Sequence, residues 1–204
     1  MHSKTKKSLN KNNIDKTLII GILAGGDSRR FGKNKAFIKY NNTTLIELAV
    51  KNALKITNNV YIVAKNIKLY ENLNCSLLKD THSKKTPLSG ILTILPLAKE
   101  WLFLTACDVP FLKPELFNLL WSQKECGKIT IFQYQNMLHP FLALYPKNTY
   151  KHFKKAYNNG EKKLQWIIKK MPNIIIKQEE IIHADPLFSS FININDEKDL
   201  RLLE

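Results

Sequence analysis

The chain is short of cysteine, of acids and of long apolar runs. Its 204 residues hold three cysteines, Cys75, Cys107 and Cys126, odd in number and far apart. No CxxC pair occurs, so neither a zinc site nor a disulfide scaffold is suggested, and a reducing cytoplasm fits. The first apolar stretch, Leu18 to Leu23, is too short for a signal peptide or a membrane span. Acidic residues number 17 against 32 lysines and arginines, a net charge of +15. A nucleic-acid partner is one reading of that excess. The lysines, however, are spread along the whole chain, with few arginines and no basic-aromatic repeat. A lysine-rich composition without a specific partner is therefore favoured, and a cleft for phosphate-rich ligands would also draw on positive charge.

With 44% hydrophobic residues the chain can bury one sizeable core. Met1 to Lys16 is polar and lysine-rich and reads as a disordered tail, leaving residues 17–204 as a single domain. Thr17 to Leu23 reads as a buried parallel strand. Thr44 and Glu47 have capping-box spacing and open a helix to about Ile56. Asn59–Ala64, Cys75–Leu78 and Trp101–Ala106 read as strands, and Leu88–Leu97 and Pro114–Gln123 as helices, each with a proline at or near its start. Ile129–Tyr134 and Phe141–Tyr145 read as later strands, open to antiparallel pairing, followed by helices near Thr149–Tyr157 and Lys163–Lys170. A short strand Phe191–Ile194 and a helix Asp196–Leu203 would close the chain. This alternation argues for a three-layer α/β/α sandwich with a mostly parallel, Rossmann-like mixed sheet. Ligands in such folds sit beyond the C-terminal ends of the strands.

The segment after the first strand reads Gly21-Ile22-Leu23-Ala24-Gly25-Gly26-Asp27-Ser28-Arg29-Arg30-Phe31-Gly32-Lys33-Asn34-Lys35. The dinucleotide fingerprint needs a residue between its first glycines, and Gly25-Gly26 has none. The P-loop needs four residues before Gly-Lys and then Ser or Thr; here Gly26 to Gly32 encloses five and Asn34 follows Lys33. The loop still suits a phosphorylated nucleotide. Gly25 and Gly26 let the backbone approach closely, successive amides can cradle oxygens, Arg30 offers a rigid fork and Lys35 a compact charge.

Asp108 follows a buried strand and precedes Val109-Pro110. A carboxylate there can hold Mg2+ beside ligand phosphates, or can simply end a turn. Asp80, before the polar segment Thr81 to Thr86, is open between a nucleotide contact and an Asx turn. Gly90 would allow close approach of a nucleotide to the following helix. Asn193 and Asn195 would share one strand face with amides free to donate and accept, unless Asn195 or Asp196 only starts the last helix. His139 has no His or Cys at ligand spacing and reads as a binding or structural residue before a catalytic base. His82 is open between exposure and substrate contact, and His2, His152 and His183 have no site context.

Together these residues resemble the MobA family of molybdenum cofactor guanylyltransferases, within the wider nucleotidyltransferase group. The group pattern LAGGxSxRxGxxK is met at every fixed position from Leu23 to Lys35. Pro87-Leu88-Ser89-Gly90, Cys107-Asp108-Val109-Pro110-Phe111-Leu112, His139-Pro140-Phe141-Leu142-Ala143-Leu144-Tyr145 and Asn193-Ile194-Asn195 with Asp199-Leu200 are similar in order as well. Two departures stand out: Thr86 replaces a usual glycine, and Phe31 a usual methionine.

The resemblance implies the nucleotide-diphospho-sugar transferase fold and transfer of GMP from GTP to the terminal phosphate of molybdopterin, or its molybdenum form. It implies that Leu23, Ala24, Gly25 and Gly26 contact guanine and nucleotide, and that Arg30 and Lys35 hold the triphosphate. Asp80 and Gly90 would lie beside the nucleoside, Asp108 would bind Mg2+, and His139, Asn193 and Asn195 would face the pterin side. Partners would be small molecules, with transient hand-over to a molybdenum insertion protein or an apo-molybdoenzyme. The rivals are a cytidylyltransferase on the same pterin, a sugar-phosphate nucleotidyltransferase, and a non-catalytic nucleotide- or RNA-binding adaptor. The pterin cytidylyltransferase branch tends to read Ala-Ala-Gly where this chain has Ala24-Gly25-Gly26, which favours guanine.

Overall fold

The computed structural model describes residues 11–24, 34–194 and 199–200. A short helix, Lys11–Asp15 (α1), leads into the strand Leu18–Leu23 (β1). The hairpin Lys39–Tyr40 (β2) and Thr43–Thr44 (β3) precedes helix Leu45–Leu54 (α2), then come Val60–Ala64 (β4), Ser76–Lys79 (β5), Pro87–Ile94 (α3) and Trp101–Ala106 (β6). Pro114–Gln123 (α4), Ile129–Tyr134 (β7), Met137–Pro146 (β8), Tyr150–Asn158 (α5), Leu164–Lys169 (α6), Asn173–Ile176 (β9) and Gln178–Ile181 (α7) follow.

Seven strands form the main sheet in the order β5-β4-β1-β6-β8-β7-β9. β5, β4, β1 and β6 are parallel. β8 runs antiparallel to both its neighbours, β6 and β7, and β9 pairs in parallel with β7. The sheet divides two cores. α2 and α4 cover one face, where Ile20 and Ile22 meet Ile46, Val50, Leu116 and Phe117. α3, α5 and α6 cover the other, where Ile19 and Leu102 meet Ile91, Phe153 and Ile168. The mixed three-layer sandwich expected from the sequence is the one observed.

β1 lies between β4 and β6, with Leu23 level with Val63 on one side and Ala106 on the other. The ladders continue one step further. Ala24 N–H donates to the Val63 carbonyl (3.0 Å), Cys107 N–H to that of Leu23 (3.1 Å), and Asp80 N–H to that of Ala64 (2.9 Å). The chain works outward from β1 through β4 to β5, then returns to β1's other edge as β6. That reversal makes the crevice at the ends of β1 and β6 the topological switch point.

Local chemistry accounts for most boundaries. Thr44 and Glu47 form the expected capping box, Glu47 N–H donating to Thr44 Oγ1 (3.4 Å) and Thr44 N–H to Glu47 Oε2 (2.7 Å). Gln135 and Asn136 take positive φ, 49° and 61°, and turn β7 into β8 within two residues. β8 therefore begins at Met137 and takes in His139 and Pro140, earlier than the strand expected from Phe141.

Two expectations are corrected and one strand is new. Residues 11–15 of the supposed tail are helical: Ile14 is buried in the core, and Asp15 Oδ1 accepts from the Asn58 N–H (3.0 Å) and the buried Thr57 hydroxyl. Met1 to Asn10 lie outside the described residues. Phe191–Ile194 is not a strand; a one-turn 3-10 helix spans Ser189–Phe191 and an irregular segment follows. β9 was not foreseen, because four residues beside Pro172 carry too little periodicity to stand out. The expected closing helix Asp196–Leu203 lies outside the described residues, except Asp199 and Leu200.

Replacing Asp15 by Ala leaves the Thr57 hydroxyl, itself fully buried, without its acceptor. Asp15→Ala is expected to lower stability by about 1–3 kcal/mol, read as a lower urea midpoint at unchanged m-value.

Candidate active site

A cleft of about 500 Å³ opens at the switch point. Six residues singled out in the sequence line it: Leu23, Ala24, Lys35, Asp80, Gly90 and Asp108. They are separated along the chain but leave the sheet on one rim. Leu23 and Ala24 end β1, Asp80 follows β5, Asp108 follows β6, and Gly90 sits in the first turns of α3. Lys35 opens the one-turn 3-10 helix Lys35–Phe37, capped by Asn34, whose Oδ1 accepts from Ala36 N–H (3.1 Å). Gly25, Gly26 and Arg30 lie outside the described residues.

Lys35 Nζ pairs with Asp108 Oδ2 in a short, part-buried contact. The second oxygen, Asp108 Oδ1, is buried without a hydrogen-bond partner among the described residues. An unsatisfied carboxylate oxygen on a cleft-lining residue fits a cation better than a turn residue would. Among the described residues no cluster of three or more His, Cys, Asp or Glu could hold a metal. A hard cation here would thus take one protein carboxylate and complete its shell with phosphate oxygens and water, the habit of Mg2+. The neighbouring Cys107 thiol is pushed up to about 12 by burial, reinforced by the Asp108 charge, so it is no thiolate nucleophile at neutral pH.

Asp80 makes the Asx turn and also lines the cleft. Its Oδ1 accepts from His82 N–H (3.0 Å), an Asx turn, and from Thr93 Oγ1 (3.2 Å), while Oδ2 lies 3.0 Å from Lys65 Nζ at the cleft wall. Gly90 lines the cleft and also packs closely against β1. A Cβ there would stand 2.7 Å from Leu23 Cδ2, so the glycine lets α3 pack against the end of β1.

The family model of the MobA-like NTP transferase domain matches residues 20–174. This chain belongs to that family. A probable molybdenum cofactor guanylyltransferase of Clostridium perfringens strain 13 is 33% identical over 179 residues, covering 85% of this chain and 89% of the relative. Another probable one, from Carboxydothermus hydrogenoformans, is 35% identical over 134 residues, covering 65% and 68%. The crystal structure of molybdopterin-guanine dinucleotide biosynthesis protein A from Archaeoglobus fulgidus superposes with a TM-score of 0.79 at 23% identity, covering 91% of this chain and 96% of that one. This last likeness speaks to fold alone.

Within this MobA-like domain the second-substrate candidates stand apart from the cleft lining. His139 packs edge-on against Phe191 (4.9 Å between rings) and near Tyr134 (6.1 Å). Burial pushes its pKa below the ordinary value, against an opposing hydrogen bond with the Tyr134 backbone, and its Nε2 is buried without a partner among the described residues. Asn193 is exposed, but the next residue is tied to the cleft: Ile194 N–H donates to the Asp108 carbonyl (2.9 Å). Asn195 lies outside the described residues.

Asp185, which sequence reading passed over, explains why this segment turns instead of extending. It is fully buried and accepts from Ser190 N–H (2.8 Å), Ser189 Oγ (3.1 Å) and Lys113 Nζ (2.7 Å). Burial alone would raise its pKa, yet these donors hold it below the usual carboxylate value. Ser190 Oγ in turn donates to the Phe111 carbonyl (3.0 Å) and accepts from Lys113 N–H (3.2 Å). Lys65, Asn66, Tyr70 and Phe141 also line the cleft unforeseen. A polar pair just past the end of β4 was the one signal available for Lys65 and Asn66.

Gly90→Ala is expected to displace the Leu23 side chain and raise the nucleotide KM about 3–10-fold, equivalent to about 0.7–1.4 kcal/mol. Steady-state kinetics read it. The neutral His139 contributes stability above its unfolded pKa of about 6.5, and that contribution is lost as pH falls through 6.5 toward the lowered value. The melting temperature is therefore expected to fall more steeply between about pH 7.5 and 5.5 in the native chain than in His139→Gln.

Proposed function

We propose that this chain is a molybdenum cofactor guanylyltransferase that transfers GMP from GTP to the terminal phosphate of molybdopterin or its molybdenum form. The observation that carries this reading is Asp108: a part-buried strand-end carboxylate with one oxygen unpartnered among the described residues, paired with Lys35 directly after the glycine-rich loop. Curated relatives sharing about a third of their residues with this chain carry the guanylyltransferase name.

A phosphate oxygen of the acceptor attacks the α-phosphorus of GTP. The new P–O bond forms as the bond to the bridging oxygen breaks, and that electron pair leaves with pyrophosphate. No covalent enzyme intermediate is needed, because the attacking phosphate is already anionic. Catalysis then rests on alignment and charge neutralisation. Asp108 would hold Mg2+, which when bound supplies positive charge to the triphosphate. Lys35, with Arg30 from the glycine loop, neutralises the remaining phosphate charge. Leu23, Ala24, Gly25 and Gly26 floor the nucleotide site beside Asp80 and Gly90. His139, Asn193 and Asn195 serve the pterin side, consistent with the bond from Ile194 to the Asp108 backbone. Work in the cytoplasm and product hand-over to a molybdenum insertion protein or an apo-molybdoenzyme complete the proposal. Among the described residues no helix is long and apolar enough to cross a membrane.

Pyrophosphate release with molybdopterin is expected with GTP and not with CTP or ATP; release with CTP alone would point to the cytidylyltransferase reading. Asp108→Asn keeps a hydrogen-bonding partner for Lys35 and is expected to cut kcat at least about 100-fold with an unchanged circular dichroism spectrum. Near-native turnover by that variant would remove Asp108 from the reaction.

A further inference from the structure

Tyr70 ends the one-turn 3-10 helix Ile67–Tyr70 that follows β4. Its side chain is 1% exposed and belongs to the core beneath α2. The hydroxyl reaches out of that core to the cleft. It donates to the Ala24 carbonyl at 2.9 Å and accepts from Asn34 Nδ2 at 3.2 Å. Ala24 and Asn34 are the residues on either side of the undescribed stretch 25–33. One phenol oxygen therefore touches both ends of the glycine-rich loop.

Each end is held a second time. Ala24 N–H is bonded to Val63, which fixes that residue to β4. Asn34 uses its Oδ1 to cap the turn that carries Lys35, leaving its Nδ2 for the phenol. Phe37, from the same turn, stacks on the Tyr70 ring with centroids 5.6 Å apart and planes 12° from parallel. Lys35 lies between these anchors and meets Asp108. The bridge demands a group that donates and accepts at once, on a rigid stem long enough to cross from the core. A tyrosine hydroxyl meets that demand, while burial raises its pKa and keeps its proton in place.

We propose that Tyr70 is a positioning residue: its hydroxyl ties Ala24 to Asn34 and so sets the turn that carries Lys35 for the triphosphate before nucleotide arrives. The inference rests on the nucleotide site proposed above. Holding Ala24 and the Lys35 turn in place in advance removes ordering entropy that binding would otherwise have to overcome. Tyr70 need not touch the reacting atoms.

The clean test is Tyr70→Phe, which keeps the ring, its burial and its stacking and deletes only the oxygen. GTP affinity is measured by calorimetry in the presence of Mg2+, and KM for GTP and for molybdopterin by steady-state kinetics. The expected result is an increase of about tenfold in both Kd and KM for GTP, the size of one net hydrogen bond, with KM for molybdopterin unchanged. General loosening of the fold would move both KM values, and that result would overturn the proposal. Asn34→Ser retains a side chain able to cap the turn but loses the Nδ2 donor. It is expected to weaken GTP binding less than Tyr70→Phe does, and to add little in the double variant because the two share one bond. Full additivity, or an unchanged GTP Kd in Tyr70→Phe, would overturn the clasp while leaving the nucleotide site standing. Failure of the native chain to bind GTP would overturn that site and the clasp with it.

Discussion

Every group in the cleft stands where it does because β1 hydrogen-bonds in parallel register to β4 on one edge and to β6 on the other. Parallel strands that end level deliver their following residues to one rim. Ala24, the Lys65–Asn66 pair, Asp80 and Asp108 thus converge although they are far apart in sequence. The register is hard to slip, since β1 is buried nearly throughout and a one-residue shift would exchange its two faces. Chemistry placed at the ends of such strands inherits that rigidity.

A second theme is the way this acid-poor chain spends its aspartates. Asp108 pairs with Lys35, Asp80 with Lys65 and Asp185 with Lys113, and the aspartate is in each case the more buried partner. A buried carboxylate is costly unless it is paired and hydrogen-bonded, and losing one partner of such a pair leaves the other stranded. Two of these pairs border the cleft and the third knits the segment after α7 to the loop after β6. The remaining lysines are left as an excess of positive charge, which suits attraction of polyanionic substrates such as nucleoside triphosphates.

The parallel half of the fold was legible because its signals are local. Buried apolar runs, prolines at helix starts and the Thr44–Glu47 box each report on their own neighbourhood, and Trp101–Ala106 and Pro114–Gln123 were read to the residue. The second half was less so. Phe191 to Ile194 alternates apolar and polar residues as a strand would, yet Asp185 captures the Ser190 amide and turns the chain. Ile14 looked like one apolar residue in a polar tail, and only the side of β1 shows where it is buried. Tyr70 carried no motif at all.

The sequence by itself determined the chemistry: the glycine-rich loop with its basic residues, and aspartates at strand ends, because short-range spacing decides which groups can follow a strand. It also determined the layered architecture through alternation of apolar strands and amphipathic helices. Tertiary structure alone decided which of these groups meet. The Lys35–Asp108 contact, the Lys65–Asp80 pair and the phenol that bridges Ala24 and Asn34 all join residues that no local pattern connects. Their partners are chosen by strand order and register, which are properties of the whole sheet and not of any segment within it.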